Sequence, residues 1–259
     1  MGIVNITDDS YYACSRCPAV ADAVALASRH ISEGASIIDI GACSSRPGSV
    51  AVGADEEWRR LKPALEAIRS EFPSVRLSVD TYRADVVERT YGLVGDFIVN
   101  DISAGEDDPD MLDTVGRLGL TYVAMHKRGN PQTMSALTEY DDVTDDVIEY
   151  FRSFALKAAS AGIREWIIDP GFGFAKTVDQ NYELLRDLDK FGIVFPDRGI
   201  LVGVSRKSMI YKYLGISPEE SLPATQVLHL AALSGGADIL RVHDCAEAAR
   251  TVSLYRLLG

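Results

Sequence analysis

Acids, amides and bases stand at the ends of short apolar runs in this chain. Asn5, Asp80, Asn100, Asp169, Arg241 and His243 close such runs, and Arg46 and Lys207 lie in the loops behind two others. The residue types describe a ligand. Asp80, Asn100 and Asp169 offer several acceptors and one amide, which suits a heterocycle edge with adjacent N–H donors, such as a 2-amino-4-oxopyrimidine. Lys207 can donate to a carbonyl oxygen or ring nitrogen, and the flat guanidinium of Arg241 can stack on a ring face. Asn5, Arg46 and His243 make a mixed anion and metal pocket, fit for a diphosphate with Mg2+.

Taken singly, each residue has a plainer reading. An Asp behind a strand is commonly a helix N-cap, and Asp80 stands just before a helix start at Ala84. His126 reads as a satisfied core histidine and Lys207 as a solvated surface lysine. The stretch PGFGFAKT (170–177) resembles a phosphate cradle but fails the P-loop spacing, because Ala175 precedes Lys176 and Pro170 holds the first glycine's place. It reads instead as a turn behind a strand, WIID, that ends in an acid. The plain readings weaken once all these groups converge, since acids, an amide and bases gathered together are costly without a ligand to pair them.

The elements that would gather them repeat along the chain. Eight apolar, β-branched runs occur: GIVNI (2–6), SIIDI (36–40), RLSVD (76–80), FIVND (97–101), TYVAM (121–125), WIID (166–169), ILVGV (200–204) and DILRV (238–242). Between and after them the spacing predicts helices over Pro18–Glu33, Asp55–Phe72, Ala84–Tyr91, Met111–Leu118, Val143–Ala161, Asn181–Lys190, Leu222–Ser234 and Ala246–Leu258. Gly34, Gly162 and Gly235-Gly236 stand where helices should stop. Eightfold strand–helix alternation in this length predicts an α/β fold: one (β/α)8 TIM barrel, a single domain over 1–259, with chemistry at the carboxyl ends of its strands. A doubly wound sheet ranks second, for want of a Gly-x-Gly-x-x-Gly turn.

Composition narrows the partners. Hydrophobic residues make up 47% of the chain, enough for a sizeable core, and the net charge of −12 argues against nucleic acid. No apolar run is long enough for a membrane span, and no basic n-region marks a secretory signal, so a cytoplasmic protein is expected. Cys14 and Cys17 form a C-x-x-C without a second pair at zinc-finger spacing. Free thiols are the expectation for these and for Cys43 and Cys245.

The chain resembles the dihydropteroate synthases, pterin-binding enzymes of the folate pathway and sulfonamide targets. The resemblance runs nearly from end to end, through MGIVNITDDS, GASIIDIGACSSRPG, SVDTYRADV, IVNDISAG, MHKRGNPQTM, IIDPGFGFAKT, LVGVSRKSMI and RVHD. It implies a (β/α)8 barrel and a transferase that condenses 6-hydroxymethyl-7,8-dihydropterin diphosphate with 4-aminobenzoate. It also implies Mg2+ as cofactor and a homodimer. By motif, Asp80, Asn100, Met125, Asp169, Lys207 and Arg241 would hold the pterin. Asn5, Arg46 and His243 would bind the diphosphate, with Asn5 on the metal. Ser45, Pro47, Phe174, Lys207 and Ser208 would line the aminobenzoate site. Asp80, Lys207 and Arg46 would carry catalysis.

The chain departs from the family's pattern in places. Asp8 stands for a loop proline, Ala13 for a loop aspartate, Cys43 for a glutamate, Ser45 for a threonine and Ala175 for a glycine. Two rivals share the pterin-holding acids. A methyltetrahydrofolate-dependent methyltransferase would not need Ser-Arg-Lys-Ser or the diphosphate set. A pterin-binding paralogue without turnover would rest on Ala13 and Cys43.

Overall fold

The computed structural model describes residues 1–6, 19–43, 52–129 and 133–258. Its strands are β1 (Gly2–Asn5), β2 (Ile37–Gly41), β3 (Arg76–Asp80), β4 (Ile98–Asp101), β5 (Thr121–Met125), β6 (Trp166–Asp169), β7 (Gly199–Val202) and β8 (Ile239–Leu240). Each pairs in parallel with the next, in chain order. The seam closes where Gly2 bridges Val242. There the Ile3 N–H donates to Val242 O at 3.0 Å, and the Val242 N–H donates to Met1 O at 2.9 Å. The result is the expected (β/α)8 barrel.

The helices are α1 (Val20–Ser32), α2 (Ala54–Glu71), α3 (Ala84–Val94), α4 (Met111–Leu118), α5 (Val143–Ser160), α6 (Val178–Arg186), α7 (Asp189–Val194), α8 (Ser208–Leu214), α9 (Leu222–Ser234) and α10 (Cys245–Leu258). Most match the periodic pattern to within a few residues. The helix expected over Asn181–Lys190 is two: α6 stops at Arg186, and Asp187 takes a 2.9 Å contact from Lys190 as α7 begins. The short α8, seven residues long, is not among the expected helices.

Side chains alternate across a strand, so one strand lines the interior with every second residue. Ile98, Val123 and Leu201 form a small inner cluster, joined by Met1, Ile37, Ile167 and Ile239. The much larger core lies between the sheet and the helices, and Phe97, Phe151, Phe172 and Phe191 are fully buried there. Stepping two residues from each inner apolar residue toward the strand's carboxyl end changes its chemistry. Ile98 leads to Asn100, Val123 to Met125, Ile167 to Asp169, Ile239 to Arg241, and Ile37 to Asp39. A greasy plug fills the barrel, and a polar layer sits above it. Among the described residues, no helix is long and apolar enough to cross a membrane.

Candidate active site

The polar layer is organised around a carboxylate. Asp39 is fully buried in β2, and Arg241 donates to it through Nε at 2.7 Å and through Nη2 at 2.6 Å. The Ser78 hydroxyl donates to the other oxygen, Oδ1, at 2.5 Å, and the Asn100 Nδ2 donates to the Arg241-bound Oδ2 at 3.1 Å. Arg241 also reaches Asp80 Oδ2 at 2.8 Å. One guanidinium therefore serves two acids. Burial lifts the Asp80 carboxyl above the usual range, against the pull of Arg241 and with the help of Asp39's charge. Asp80 is thus the guanidinium's partner and not a helix cap. The first turn of α3 is served by Asp108, which accepts from the Ala84 N–H at 2.8 Å. Gly41 sits closely between its neighbours: a Cβ there would lie 3.2 Å from Asp80 Cβ and 3.6 Å from Asn5 Oδ1.

Across the mouth stand Asp169 and Lys207. Asp169 is buried at the end of β6, in register with Met125, and accepts from the Gly171 N–H at 2.8 Å. Burial raises its carboxyl, and the attraction of Lys207 opposes the rise. Burial lowers the Lys207 ammonium to about 8, with Asp169 pulling the other way. Lys207 donates to Phe172 O, and its Nζ lies 4.9 Å from the Phe174 ring centre, a cation–π contact. Ser208 follows as the first residue of α8.

The turn after β6 answers what its lysine does. Lys176 is buried and folds back on its own loop, donating to Gly171 O at 3.0 Å and Phe174 O at 3.1 Å, and it meets His126 Nδ1 at 3.0 Å. Burial brings its ammonium down to about 7. Gly171 adopts φ +74°, and a Cβ on it would strike His126 O at 1.9 Å, so only glycine fits. Ala175, where the family carries glycine, holds φ +50°. The loop is a tied knot that sets Asp169 and Phe174, with its lysine spent on carbonyls. His126 is the buried core histidine expected, edge-on to Tyr150 at 4.9 Å.

A third group sits behind β7 and β8. His243 Nδ1 lies 3.0 Å from the Ser205 hydroxyl, and burial followed by the nearby Arg241 charge holds the imidazole down to about 3, hence neutral. Arg206 clamps Asp244 with two nitrogens, at 2.8 and 2.9 Å, and ties the loop before α9 through Pro218 O and Glu219 O. At the base of the second loop, Arg83 donates to the buried Glu57 and to Cys43 Sγ at 3.4 Å. Where the family carries a glutamate at position 43, Glu57 supplies the acid beside this arginine.

The sequence-derived residues Asn5, Asp80, Asn100, Met125, Asp169, Phe174, Lys207, Ser208, Arg241 and His243 therefore lie at or just behind the strands' carboxyl ends. Ser45, Arg46 and Pro47 lie outside the described residues, as do Cys14 and Cys17. Cys43 and Cys245 are free thiols. Asp39 and Lys176 were not anticipated. The signal for Asp39 was available: in SIIDI it falls on the same alternate face as Ile37 and Gly41.

Comparison with known proteins bears on this arrangement. Residues 1–243 match the model of the family described as pterin binding enzyme. A dihydropteroate synthase of Escherichia coli strain K12 is 40% identical over 260 residues, covering 100% of this chain and 89% of that protein. A Yersinia pestis dihydropteroate synthase, solved in a sulfonamide drug complex, superposes with a TM-score of 0.93 at 34% identity, over 99% of this chain and 92% of the other. The Burkholderia cenocepacia enzyme, complexed with 7,8-dihydropteroate, gives 0.87 at 37% identity, over 99% and 90%.

Proposed function

The chain belongs to the pterin-binding enzyme family and catalyses the dihydropteroate synthase reaction of folate biosynthesis, and from that premise we propose how its rim divides the work. As a transferase, it joins 6-hydroxymethyl-7,8-dihydropterin diphosphate to 4-aminobenzoate and releases diphosphate. The C–O bond to diphosphate breaks with its electron pair going to oxygen. The positive charge left on the methylene spreads into the pterin ring. The aryl amine then attacks that carbon and loses a proton.

What supports the division of roles is one observation: the alternate face of the strands carries Asp80, Asn100, Asp169 and Arg241 to a single rim, with Lys207 beside them. Asp169 takes the pterin's N–H donors and Lys207 its carbonyl or ring nitrogen, with Met125 beneath. The Asn100 amide donates to Asp39, which fixes its orientation toward the ring. Arg241, held flat by Asp39 and Asp80, offers a guanidinium face for stacking. Asp80 and Asp169 lie close to the developing cation and lower its energy electrostatically. Phe174, Ser208, Ser45 and Pro47 wall the aminobenzoate. No protein nucleophile enters.

Diphosphate goes to Asn5, Arg46 and His243. The neutral imidazole contributes a hydrogen bond there and no charge. The side-chain oxygen of Asn5 and the neighbouring Asp80 carboxylate, set either side of Gly41, are hard oxygen donors of the kind Mg2+ prefers, and Mg2+ usually keeps waters and substrate phosphates as its remaining ligands. Held at Asn5, Mg2+ would supply neutralisation of the leaving diphosphate's charge. A homodimer is part of the reading. Exposed Tyr213, Leu214 and Val227 on α8 and α9, around a groove of about 460 Å³, support a contact on these helices. The cytoplasm is the expected compartment.

The test is diphosphate release, followed with both substrates and Mg2+ across neutral to alkaline pH. Release coupled to dihydropteroate formation is expected, and binding without release would favour the inactive paralogue. Lys207 must be charged to pair with the ring. Its folded value lies below the ordinary lysine range, so pterin affinity should hold below about pH 8 and decline above it. Lys207→Gln should bind more weakly and lose that alkaline limb. A limb that persists in the variant would remove Lys207 from the assignment.

A further inference from the structure

We propose that His30, Glu33 and Cys245 form a binding site for a divalent cation of the zinc class, outside the strand wall between α1 and α10. The three donor atoms lie within 4.8 Å of one another, the one such gathering of His, Cys, Asp and Glu among the described residues. His30 and Glu33 come from the end of α1 and Cys245 opens α10, so the site straddles the seam where β8 meets β1. Zinc-class bonds of about 2.0–2.3 Å place ligand atoms roughly 3.3–3.8 Å apart in a tetrahedron. His30 Nδ1 and Glu33 Oε2, 3.8 Å apart, already stand near that spacing.

The histidine points to a ligand independently. His30 is 1% exposed. Its Nε2 sits 3.1 Å from Ile3 O, a carbonyl that only accepts, so Nε2 carries the proton and Nδ1 presents a lone pair. That buried Nδ1 has no hydrogen-bond partner, and Glu33 Oε2 stands 3.8 Å away. Metal-ligating imidazoles are commonly held this way, with one nitrogen donating to a backbone carbonyl and the other left facing the ion, here beside a thiol and a carboxylate. Backbone fixes the site as well. A Cβ on Gly2 would lie 2.9 Å from both Cys245 Sγ and the His30 ring, so glycine lets the two side chains close over β1.

The donor set selects the ion. Nitrogen and sulfur favour zinc-class ions, whereas Mg2+ takes oxygen. Binding releases the Cys245 thiol proton to solvent and leaves a thiolate on the metal. A groove of about 660 Å³, lined by Cys245, Met1, Gly34 and Ala248, runs past the Cys245 side of the site. A bound ion would pin α1 to α10 across the seam.

Cobalt(II) titration of chelator-stripped protein tests this, because a thiolate–cobalt bond gives an intense near-ultraviolet charge-transfer band. One equivalent should bind with that band and with tetrahedral visible absorption. Zn2+ should displace it, and excess Mg2+ should not. Cys245→Ser should abolish the band, and Glu33→Gln, on the surface, should keep it while weakening affinity by at least the roughly tenfold that loss of even a supporting contact costs. Cys14→Ser/Cys17→Ser should leave everything unchanged. The proposal is overturned by absence of the band in the wild type, by its survival in Cys245→Ser, by its loss in the Cys14/Cys17 variant, or by full affinity in Glu33→Gln.

Discussion

Asp169→Asn should weaken pterin binding by about 2–4 kcal/mol, roughly 30- to 700-fold, while leaving the protein folded. The asymmetry is physical. Asparagine keeps an oxygen for the Gly171 N–H, which Asp169 Oδ1 now accepts at 2.8 Å, so the turn retains its tie. The amide that replaces the second carboxylate oxygen brings a donor where the pterin also presents donors. It also removes the charge opposite Lys207. Titration calorimetry with the free pterin reads the loss directly, and a thermal melt confirms that the fold persists. Wild-type affinity in the variant would contradict the assignment.

Arg241→Met should be costly for the fold itself, by about 3–5 kcal/mol, the range for removing one partner of a buried ion pair. Its guanidinium is shared by Asp39, which is fully buried, and Asp80. Methionine fills the volume and leaves the two acids facing each other. The loss should depend on pH with a definite sign. Asp80's carboxyl is already raised in the folded protein and would rise further without Arg241. A carboxyl whose folded value exceeds its unfolded one supports the fold while protonated and loses that support as pH rises through the folded value. The deficit relative to wild type should therefore stay flat in mild acid and grow as pH rises through about 7 and above. Denaturant titrations at several pH values read it, and a deficit independent of pH would mean that the acids do not depend on Arg241.

These effects also show which parts of the molecule were legible from sequence. The barrel was, because eight β-branched runs alternate with amphipathic stretches and no Gly-x-Gly-x-x-Gly turn marks the doubly wound alternative. The rim was legible for the same reason: a polar residue closing an apolar run must sit at the strand's carboxyl end. Asp39 escaped because it lies inside its run, where a carboxylate looks like an interruption. Only three-dimensional closure brings Arg241 of β8's end across to neutralise it. Lys176 was invisible for a related reason. Its partners are carbonyls of its own turn and a histidine fifty positions earlier, none of which leaves a spacing signature. The split between α6 and α7 depends on a local contact at Asp187, weaker than the periodicity that runs through it. The Cys43 departure is clarified only by the fold, where Glu57, from a helix, supplies an acid beside Arg83.

The central claim is that Asp169 and Lys207 grip the edge of the bicyclic ring at the barrel mouth while Asn5, Arg46 and His243 receive its leaving group. A crystal structure with the pterin diphosphate and Mg2+ bound tests it most directly. The account predicts the Asp169 carboxylate and the Lys207 ammonium on opposite sides of one pteridine edge, each within hydrogen-bond reach, with the diphosphate turned toward Asn5, Arg46 and His243. A pterin seated elsewhere, or a diphosphate lying against Asp169, would contradict it.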